Sequence, residues 1–563
     1  MKTIINYIKP FGFKIFGAIF IKFSATMIEL FLPSILAFVI DDVVPLKQIW
    51  KVYMWGGVMI LCAVGAWIGN IVANRFTTRI SRDITRNIRH DLFEKVSYLS
   101  VSQVDSYTIP SLVSRMTSDT YYVHQMVDRI QRMGVRAPIM LIGGIIVTLT
   151  LDKALTLVLV CLLPLIGILV YTVSKKGIPL YSKTQKSLDK LIGKVRELMV
   201  GVRVIKALSK TEYEKEKFDQ INTEAIKNEQ KAGTIMAITN PVMSFILNMG
   251  LTLVILVGAY RVNSGLMLPG KIIAFLSYFT LILNAMMMLT RLFITMSKGI
   301  ASANRLSEVF ETPSDLDLTD TPHVESEYHI EFKDVSFSYN GVRNNVENVS
   351  FAVRQGDTLG ILGATGSGKT TIVNLLMRFY DVDSGEILIG GKNIKSIPPE
   401  ILHTKFGIAM QNDFFFADTI EENIRYGREI SRDTMEEAAE IAQGDFIFEK
   451  GFDYRLDVGG ANLSGGQRQR LLLARAFAGE SEIIVLDDSS GALDYKTDAK
   501  LRAQINKSFK GVTKIIVAQR ISSVMYSDNI LFFDNGKIIG SGTHSELLES
   551  CEEYRAIYEA QMN

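Results

Sequence analysis

The stretch GILGATGSGKTT, residues 360–371, decides the fold of the carboxyl-terminal half of this 563-residue chain. It reads as the end of an apolar strand, a glycine-rich turn and the start of a helix, and Gly363 to Thr370 fit the pattern G-x-x-x-x-G-K-[ST]. In such a loop, backbone N–H groups and the helix N-terminus point at phosphate oxygens. Further short β-rich runs alternate with helical ones up to the carboxyl terminus, which predicts an α/β domain around a parallel sheet.

Each residue type in this loop has an expected role. The glycines let the backbone approach phosphate closely, Lys369 reaches the terminal phosphates, and Thr370 offers its hydroxyl to Mg²⁺. The expected nucleotide-binding residues of the loop are Gly363, Thr365, Gly366, Ser367, Gly368, Lys369, Thr370 and Thr371.

A second stretch, IIVLDDSS at 483–490, runs four apolar residues into two aspartates. An apolar strand that ends in Asp is weak evidence alone, but after a phosphate loop it indicates a magnesium ligand. We therefore expect Asp487 to complete the metal site with Thr370.

The amino-terminal half has a different character. The chain is 48% hydrophobic and 21% charged, and its apolar residues are concentrated in the first half. Runs of about 20 apolar residues can cross a bilayer as helices. The sequence predicts an all-α membrane domain with six spans at 13–40, 53–74, 137–152, 154–174, 235–260 and 271–297.

Charge sets the expected orientation and excludes one class of partner. A net charge of +2 without a long basic run gives no support for nucleic acid binding. Loops 75–136 and 175–231 are rich in Arg and Lys, so the positive-inside rule places them and both termini in the cytoplasm of a multi-pass plasma membrane protein. The predicted division is a membrane domain at 1–310, an acidic polar linker at 311–328 and an α/β domain at 329–563.

A third stretch, NLSGGQRQRLLLARA at 462–476, contains the unaltered LSGGQ signature of ATP-binding cassette (ABC) proteins. With the phosphate loop and LDDSSGALD in the same order, the carboxyl-terminal half resembles an ABC nucleotide-binding domain. Six spans fused before one cassette resemble a half-transporter of the type IV, multidrug-resistance-like ABC exporters. Residues 108–120 and 201–218 are similar to the family's two coupling-helix regions. Because the two long loops are helical in composition, we expect the spans to continue as helices well into the cytoplasm.

The resemblance implies further roles and partners. It implies ATP and Mg²⁺ as cofactors, adenine stacking on Tyr339, and contact of Gln411 with Mg²⁺ and with the membrane domain. ABC cassettes pair head to tail, so the signature acts on the nucleotide of a partner chain. The signature residues are Ser464, Gly465, Gly466 and Gln467.

Two residues depart from the family pattern where hydrolysis is driven. Asp488 stands where the family has a Glu that polarises water, and Gln519 replaces the switch histidine. The shorter Asp side chain sets its carboxylate on the order of 1 Å back, which costs roughly 10²-fold in a positioned reaction, and Gln cannot carry a proton. Gly491 and a shortened run before the signature also differ. These changes predict a heterodimer in which this chain's own ATP site is degenerate and the partner half-transporter supplies the Glu.

Two alternatives stay open: a homodimeric exporter of drug, lipid or peptide with Asp488 as a weak base, and a non-transporting ATP-gated sensor or channel subunit.

The membrane half offers candidate cavity residues. Lys22 and Glu29 lie two turns apart on one helical face, so they face a shared polar cavity or else serve interfacial and structural roles. Met286 and Phe293 suit small amphipathic substrates or helix and lipid contacts. Asn248, Asn284 and Arg291 are also polar residues of predicted spans, which either face the cavity or serve structural roles. Membrane lipid is the expected surrounding partner.

Overall fold

The computed structural model describes residues 2–411, 414–489, Gly491 and 493–562, which form two compact units. The first unit contains the residues up to Tyr98 together with Ile109–Thr312. The second contains Leu99–Thr108 and the residues from Pro313 onward. The segment Leu99–Thr108 thus lies outside the unit formed by the rest of the predicted membrane domain of 1–310.

The first 311 residues are helical almost throughout. In chain order the helices are α1 Lys2–Ile8, α2 Gly12–Phe38, α3 Ile49–Ser97, α4 Val101–Tyr107, α5 Ile109–Ser114, α6 Thr120–Pro138, α7 Gly144–Leu151, α8 Lys153–Val200, α9 Val202–Ala207, α10 Thr211–Asn263 and α11 Pro269–Glu311. Short 3-10 or π-helical turns at 9–11, 39–46, 115–119 and 139–143 connect several of them.

By length and composition, five helical stretches of the described chain can cross a membrane. They are Thr3–Leu46, Ile49–Ser97, Ile109–Leu151, Pro241–Asn263 and Pro269–Glu311. The predicted fourth span, 154–174, overlaps a shorter apolar helix, Lys153–Leu169. The predicted third and fourth spans meet at Asp152, which ends α7 and caps α8 by accepting hydrogen bonds from the backbone N–H groups of Ala154 and Leu155.

The first short helix after α3 lies earlier in the sequence than the predicted region 108–120. It is α4, Val101–Tyr107, whereas most of the predicted region 108–120 belongs to the helical stretch that continues into α6. A reciprocal cap between Ser100 and Gln103 starts α4, and Thr108, with φ of 64°, ends it. The second short helix, α9, falls inside the predicted region 201–218.

The second unit contains two sheets. Its strands are β1 Ile330–Phe337, β2 Val346–Val353, β3 Thr358–Gly363, β4 Ser384–Ile389, β5 Lys392–Asn393, β6 Phe406–Ala409, β7 Ile483–Asp487, β8 Thr513–Ala518, β9 Asn529–Asp534 and β10 Lys537–Gly542. The first sheet is antiparallel in the order β2-β1-β4-β5, and the second has the order β10-β9-β3-β8-β7-β6. In the second sheet all neighbours from β9 to β6 are parallel and β10 is antiparallel.

Helices of the second unit flank these sheets and share apolar cores with them. They are α12 Lys369–Leu376, α13 Pro399–Thr404, α14 Ile420–Arg425, α15 Arg432–Ile441, α16 Asp445–Lys450, α17 Gly465–Phe477, α18 Tyr495–Ser508, α19 Ile521–Val524, α20 His544–Ser550 and α21 Glu552–Met562. One core joins α12 to both sheets, and a second joins α14–α17 to the far faces of β6 and β7.

The predicted linker at 311–328 overlaps helix α11 at Glu311 and belongs to the second unit from Pro313 onward. Helix α11 ends at Glu311, and no regular element intervenes among these residues before β1. The backbone N–H of Thr319 donates to Lys395 O and that of Val324 to Gly391 O. The segment is therefore held by backbone hydrogen bonds to its own unit.

We predict that Leu375→Ala destabilises the second unit by about 2–5 kcal/mol because the side chain is 0% exposed and its removal leaves a cavity in the core. The thermal unfolding transition of the full-length chain should fall by at least about 5 °C. Leu318→Ala is the matched control because Leu318 is 58% exposed. Equal unfolding temperatures for the two variants would contradict the assigned core.

Candidate nucleotide-binding site

Four adjacent parallel strands end at one edge of the larger sheet, and each delivers a candidate residue there. Strand β3 runs into the phosphate loop, β8 precedes Gln519, β7 ends in Asp487, and β6 is followed after one residue by Gln411. The register pairs Leu362 with Ala518 and Asp487 with Val517. Because the carboxyl ends of parallel strands meet at the same edge, residues far apart in sequence converge on one site.

The phosphate loop has a backbone that requires glycine. Gly366 and Gly368 have φ of 82° and 105°, a region that side-chain-bearing residues rarely adopt. A Cβ on Gly363 would lie 2.3 Å from the carbonyl oxygen of Phe533. The hydroxyl of Ser367 is buried and has no hydrogen-bond partner within the described protein, so the loop has a free polar group to offer a bound phosphate.

Lys369 begins helix α12 and is buried in the loop. Its Nζ donates hydrogen bonds to the carbonyl oxygens of Gly363, at 2.9 Å, and Ala364, at 2.7 Å. Burial lowers the pKa of this ammonium, while the nearby carboxyls of Asp487 and Asp488 act in the opposite direction. Carbonyl oxygens are weak partners for a buried cation, and a phosphate is the stronger one.

Asp487 lies buried at the end of β7. Burial raises the pKa of its carboxyl above the ordinary value, a hydrogen bond with Thr370 lowers it, and the neighbouring Asp488 raises it again. Its Oδ2 atom has no hydrogen-bond partner in the described structure. An orphaned carboxylate oxygen beside a threonine hydroxyl fits a Mg²⁺ ion, which these two residues would hold against the phosphates.

Asp488 lies between two neutral amides. Its Oδ2 accepts a hydrogen bond from Gln519 Nε2 at 3.1 Å and another from Gln411 Nε2 at 3.3 Å. The Thr365 hydroxyl in turn donates to Gln519 Oε1 at 3.4 Å. The backbone of Asp488 has φ of 49°, a left-handed conformation in which Asp is enriched. The structure thus brings together both residues at which the sequence departs from the hydrolytic pattern.

These groups enclose a cavity of about 180 Å³. The lining residues are Asn345, Thr365, Gly366, Gly368, Lys369, Thr370, Thr371, Gln411, Asp487, Asp488 and Gln519. Asn345 was not predicted from the sequence, because it lies in an irregular loop and no motif marks it. Its Oδ1 accepts a hydrogen bond from the backbone N–H of Tyr339.

The signature residues lie apart from this cavity. Ser464 caps helix α17, where its Oγ accepts from Gln467 N at 3.2 Å and Gln467 Oε1 accepts from Ser464 N at 3.0 Å. Ser464 and Gly465 are exposed. A capped and exposed helix N-terminus is suited to bind an anion supplied from outside this chain.

Comparison with known proteins finds a matching family model for each half of the chain. Residues 15–286 match the family model of the ABC transporter transmembrane region, and residues 346–491 match the ABC transporter model. The chain is 34% identical to the uncharacterized ABC transporter ATP-binding protein YfiB of Bacillus subtilis, over 100% of this chain and 98% of that protein. This chain belongs to the ABC transporter family.

Two further comparisons extend this assignment. The ABC transporter described here is 33% identical to the uncharacterized ABC transporter ATP-binding protein Rv1273c of Mycobacterium tuberculosis, over 98% of this chain and 96% of that protein. Its fold matches that of a bacterial Atm1-family ABC exporter with ATP bound, with a TM-score of 0.84 and 23% identity over 98% of this chain and 100% of the other. The transporter therefore has the fold of an ABC exporter.

Tyr339 of this transporter lies beside the phosphate-loop helix. Its hydroxyl accepts a hydrogen bond from Asn374 Nδ2 at 3.0 Å and lies 3.5 Å from Thr371 Oγ1. Its ring packs edge-on against Tyr380, with centroids 5.0 Å apart, and stays partly exposed. The exposed ring leaves a surface on which a base can stack.

The predicted cavity residues of the membrane half occupy different environments. Lys22 is buried and Glu29 forms an ion pair with Arg136. Met286 packs against an apolar cluster formed by α8, α10 and α11, and Phe293 is exposed. The ammonium of Lys22 donates hydrogen bonds to two side chains of helix α3, Asn70 and Asn74.

We predict that Lys369→Met weakens ATP binding by at least about 100-fold, since it removes the charge-assisted hydrogen bonds that this ammonium makes to phosphate. Equilibrium binding of a fluorescent ATP analogue to the full-length transporter provides the measurement. Lys392→Met, at an exposed position in β5, should bind ATP as the unaltered chain does. Unchanged binding by the Lys369 variant would remove the phosphate loop from the site.

Proposed function

We propose that this transporter exports small amphipathic molecules across the plasma membrane as one half of a heterodimeric ABC exporter, and that its own ATP site hydrolyses slowly. The single observation that carries the proposal is the placement of Asp488 between Gln519 and Gln411. Most of the other expected ATP-binding residues line the same cavity, namely Thr365, Gly366, Gly368, Lys369, Thr370, Thr371, Gln411 and Asp487.

In the hydrolytic cassettes of this family, a Glu carboxylate orients and polarises a water molecule near the γ-phosphate. Here the Oδ2 atom of Asp488 already accepts from two amide groups, and the side chain is one methylene shorter than Glu. Gln519 has neither the charge nor the proton affinity of a histidine. The site therefore supports long retention of ATP better than rapid turnover.

The intact signature gives the chain a second role. Ser464, Gly465, Gly466 and Gln467 are free to complete the ATP site of a partner cassette that carries the catalytic Glu. Pairing is also favoured by the tip between α8 and α10, where α9 and its flanks expose Val202, Val204 and Leu208. An exposed apolar tip on a long helical hairpin is suited to dock on another subunit.

The proposed membrane topology has six spans with both termini and the ABC domain in the cytoplasm. Five long apolar stretches and the shorter helix Lys153–Leu169 support the count, and the basic cytoplasmic loops support the orientation. The proposed division stays a membrane domain at 1–310, a linker at 311–328 and an ABC domain at 329–563, with α4 packed against the last of these. Phe293, exposed on α11, is a candidate contact for an apolar portion of the substrate.

We predict that the purified chain alone hydrolyses ATP slowly and that an added partner with Glu restores turnover, because only the partner's site has the complete set of hydrolytic groups. Steady-state phosphate release in nanodiscs provides the measurement. Ser464→Ala in this chain should reduce turnover of the mixed complex by at least about tenfold, since one γ-phosphate contact is lost. Ser464→Ala should leave binding at this chain's own phosphate loop unchanged.

Asp488→Glu separates the heterodimer from the homodimer. In the chain alone it should raise phosphate release only slightly while Gln519 is kept, and Asp433→Glu, at an exposed position in α15, is the matched control. A large gain from Asp488→Glu alone would favour a homodimer with Asp488 as its base. Rapid hydrolysis by the unaltered chain alone would contradict the degenerate site, and ion conduction without hydrolysis would favour a channel subunit.

A further inference from the structure

A buried cation lies where helices α2 and α3 pack in the first unit. Lys22 is 5% exposed, and its Nζ donates to Asn70 Oδ1 at 2.7 Å and Asn74 Oδ1 at 3.2 Å. Both acceptors are neutral amides, so neither hydrogen bond that the described structure gives this ammonium goes to a carboxylate. A charge inside a membrane span is costly without a counter-charge and is a functional candidate for that reason.

Two arginines of α6 lie close to this lysine. Arg136 pairs with Glu29 Oε1 at 2.5 Å, and Arg132 pairs with Asp128 Oδ1 at 3.0 Å and also bonds the Thr78 hydroxyl. The Nε atoms of both arginines are buried and have no hydrogen-bond partner in the described part of the chain. Lys22, Arg132 and Arg136 carry three positive charges against the two carboxylates of Asp128 and Glu29, an excess of one. Glu29 Oε2 and Asp128 Oδ1 also have no hydrogen-bond partner in the described residues, so free acceptors accompany the free donors.

The face of α2 that carries Lys22 and Glu29 is opposite its apolar face. Exposed phenylalanines follow the other side of the helix at Phe13, Phe16, Phe20, Phe31 and Phe38, spaced as one stripe of an α-helix. The charged groups are thus directed away from the side suited to lipid tails. Glu29, Arg132 and Arg136 are only partly buried, so the cluster is open on one side.

We propose that Lys22, Arg132 and Arg136, with Asn70 and Asn74, form an anion-binding subsite for the transported molecule. This inference rests on the proposed export function and specifies its substrate class: an amphiphile with a carboxylate, phosphate or sulfate group. Such a group supplies the missing counter-charge for Lys22 and accepts charge-assisted hydrogen bonds from the free guanidinium N–H groups. A cationic amphiphile adds repulsion and offers no acceptor.

Binding to the full-length chain in phosphatidylcholine nanodiscs tests the subsite without nucleotide or partner, so that its result is independent of ATP hydrolysis. The probes are octyl phosphate, octyltrimethylammonium and inorganic phosphate, and the readouts are calorimetric affinity and the shift in unfolding temperature. We expect octyl phosphate to bind at least tenfold more tightly than the ammonium compound. Inorganic phosphate should bind more weakly than octyl phosphate because it lacks the apolar chain.

Lys22→Gln should weaken octyl phosphate binding at least tenfold, and Lys22→Arg should keep it within about threefold because the charge is retained. Lys153→Gln, at an exposed position at the start of α8, should have no effect. Arg132→Gln provides a second variant with the same expected loss in case Lys22→Gln does not fold. Equal affinity of the folded Lys22 or Arg132 variant and the unaltered chain, or equal binding of anion and cation, would overturn the proposal.

The source of the anion is distinguished by the lipid. In phosphatidylglycerol nanodiscs, a lipid headgroup at the subsite would compete with octyl phosphate and lower its apparent affinity in the unaltered chain but not in Lys22→Gln. Unchanged affinity would indicate a free amphipathic anion. Absence of octyl phosphate binding to the unaltered chain, together with normal ATP-dependent transport of neutral compounds, would overturn the subsite alone. Normal anion binding without any transport would instead contradict the proposed export function.

Discussion

The parallel register of β3, β8, β7 and β6 is the constraint on which the nucleotide site depends. Their carboxyl ends place the phosphate loop, Gln411, Asp487 and Gln519 side by side, although Asp487 and Gln519 lie more than 100 residues after the loop in sequence. A slip of one residue in a strand would turn its side chains to the other face of the sheet. The buried β-branched and leucine side chains of these strands hold the register, so the core sets the distances in the site.

The chemistry of the site depends on the hydrogen-bond partners of its two aspartates, Asp487 and Asp488. Asp487 has a buried oxygen without a hydrogen-bond donor, which suits a metal ion. Asp488 has two amide donors, which fix its carboxylate but provide no group to which a proton can pass. The slow hydrolysis that we propose would not make such a site idle, because a ligand that binds two conformations unequally shifts their populations without being consumed.

Local patterns predicted the phosphate loop, Asp487 and the apolar helices, because a glycine-rich turn and a long apolar run each define their own structure. The location of α4 was not predicted from the sequence. The predicted region began at Thr108, although the Ser100 and Gln103 residues that cap the start of the helix can be read in the sequence. The roles of Asn345 and Asn70 depend on contacts across the fold and leave no local pattern. Lys22 shows the same limit, since burial depends on α3 as much as on α2.

Helix α4 is also connected to the aromatic groups beside the nucleotide cavity. The Tyr380 hydroxyl donates to Asp105 Oδ2 at 2.6 Å, and its ring packs edge-on against Tyr339. Burial and then the bond to Asp105 raise the pKa of the Tyr380 phenol, so the hydroxyl stays a donor at physiological pH. Any displacement of the Tyr339 ring must be accommodated by Tyr380, and hence by α4. Because this route requires a bound base and not a cleaved phosphate, it would remain available if the site hydrolyses ATP as slowly as we propose.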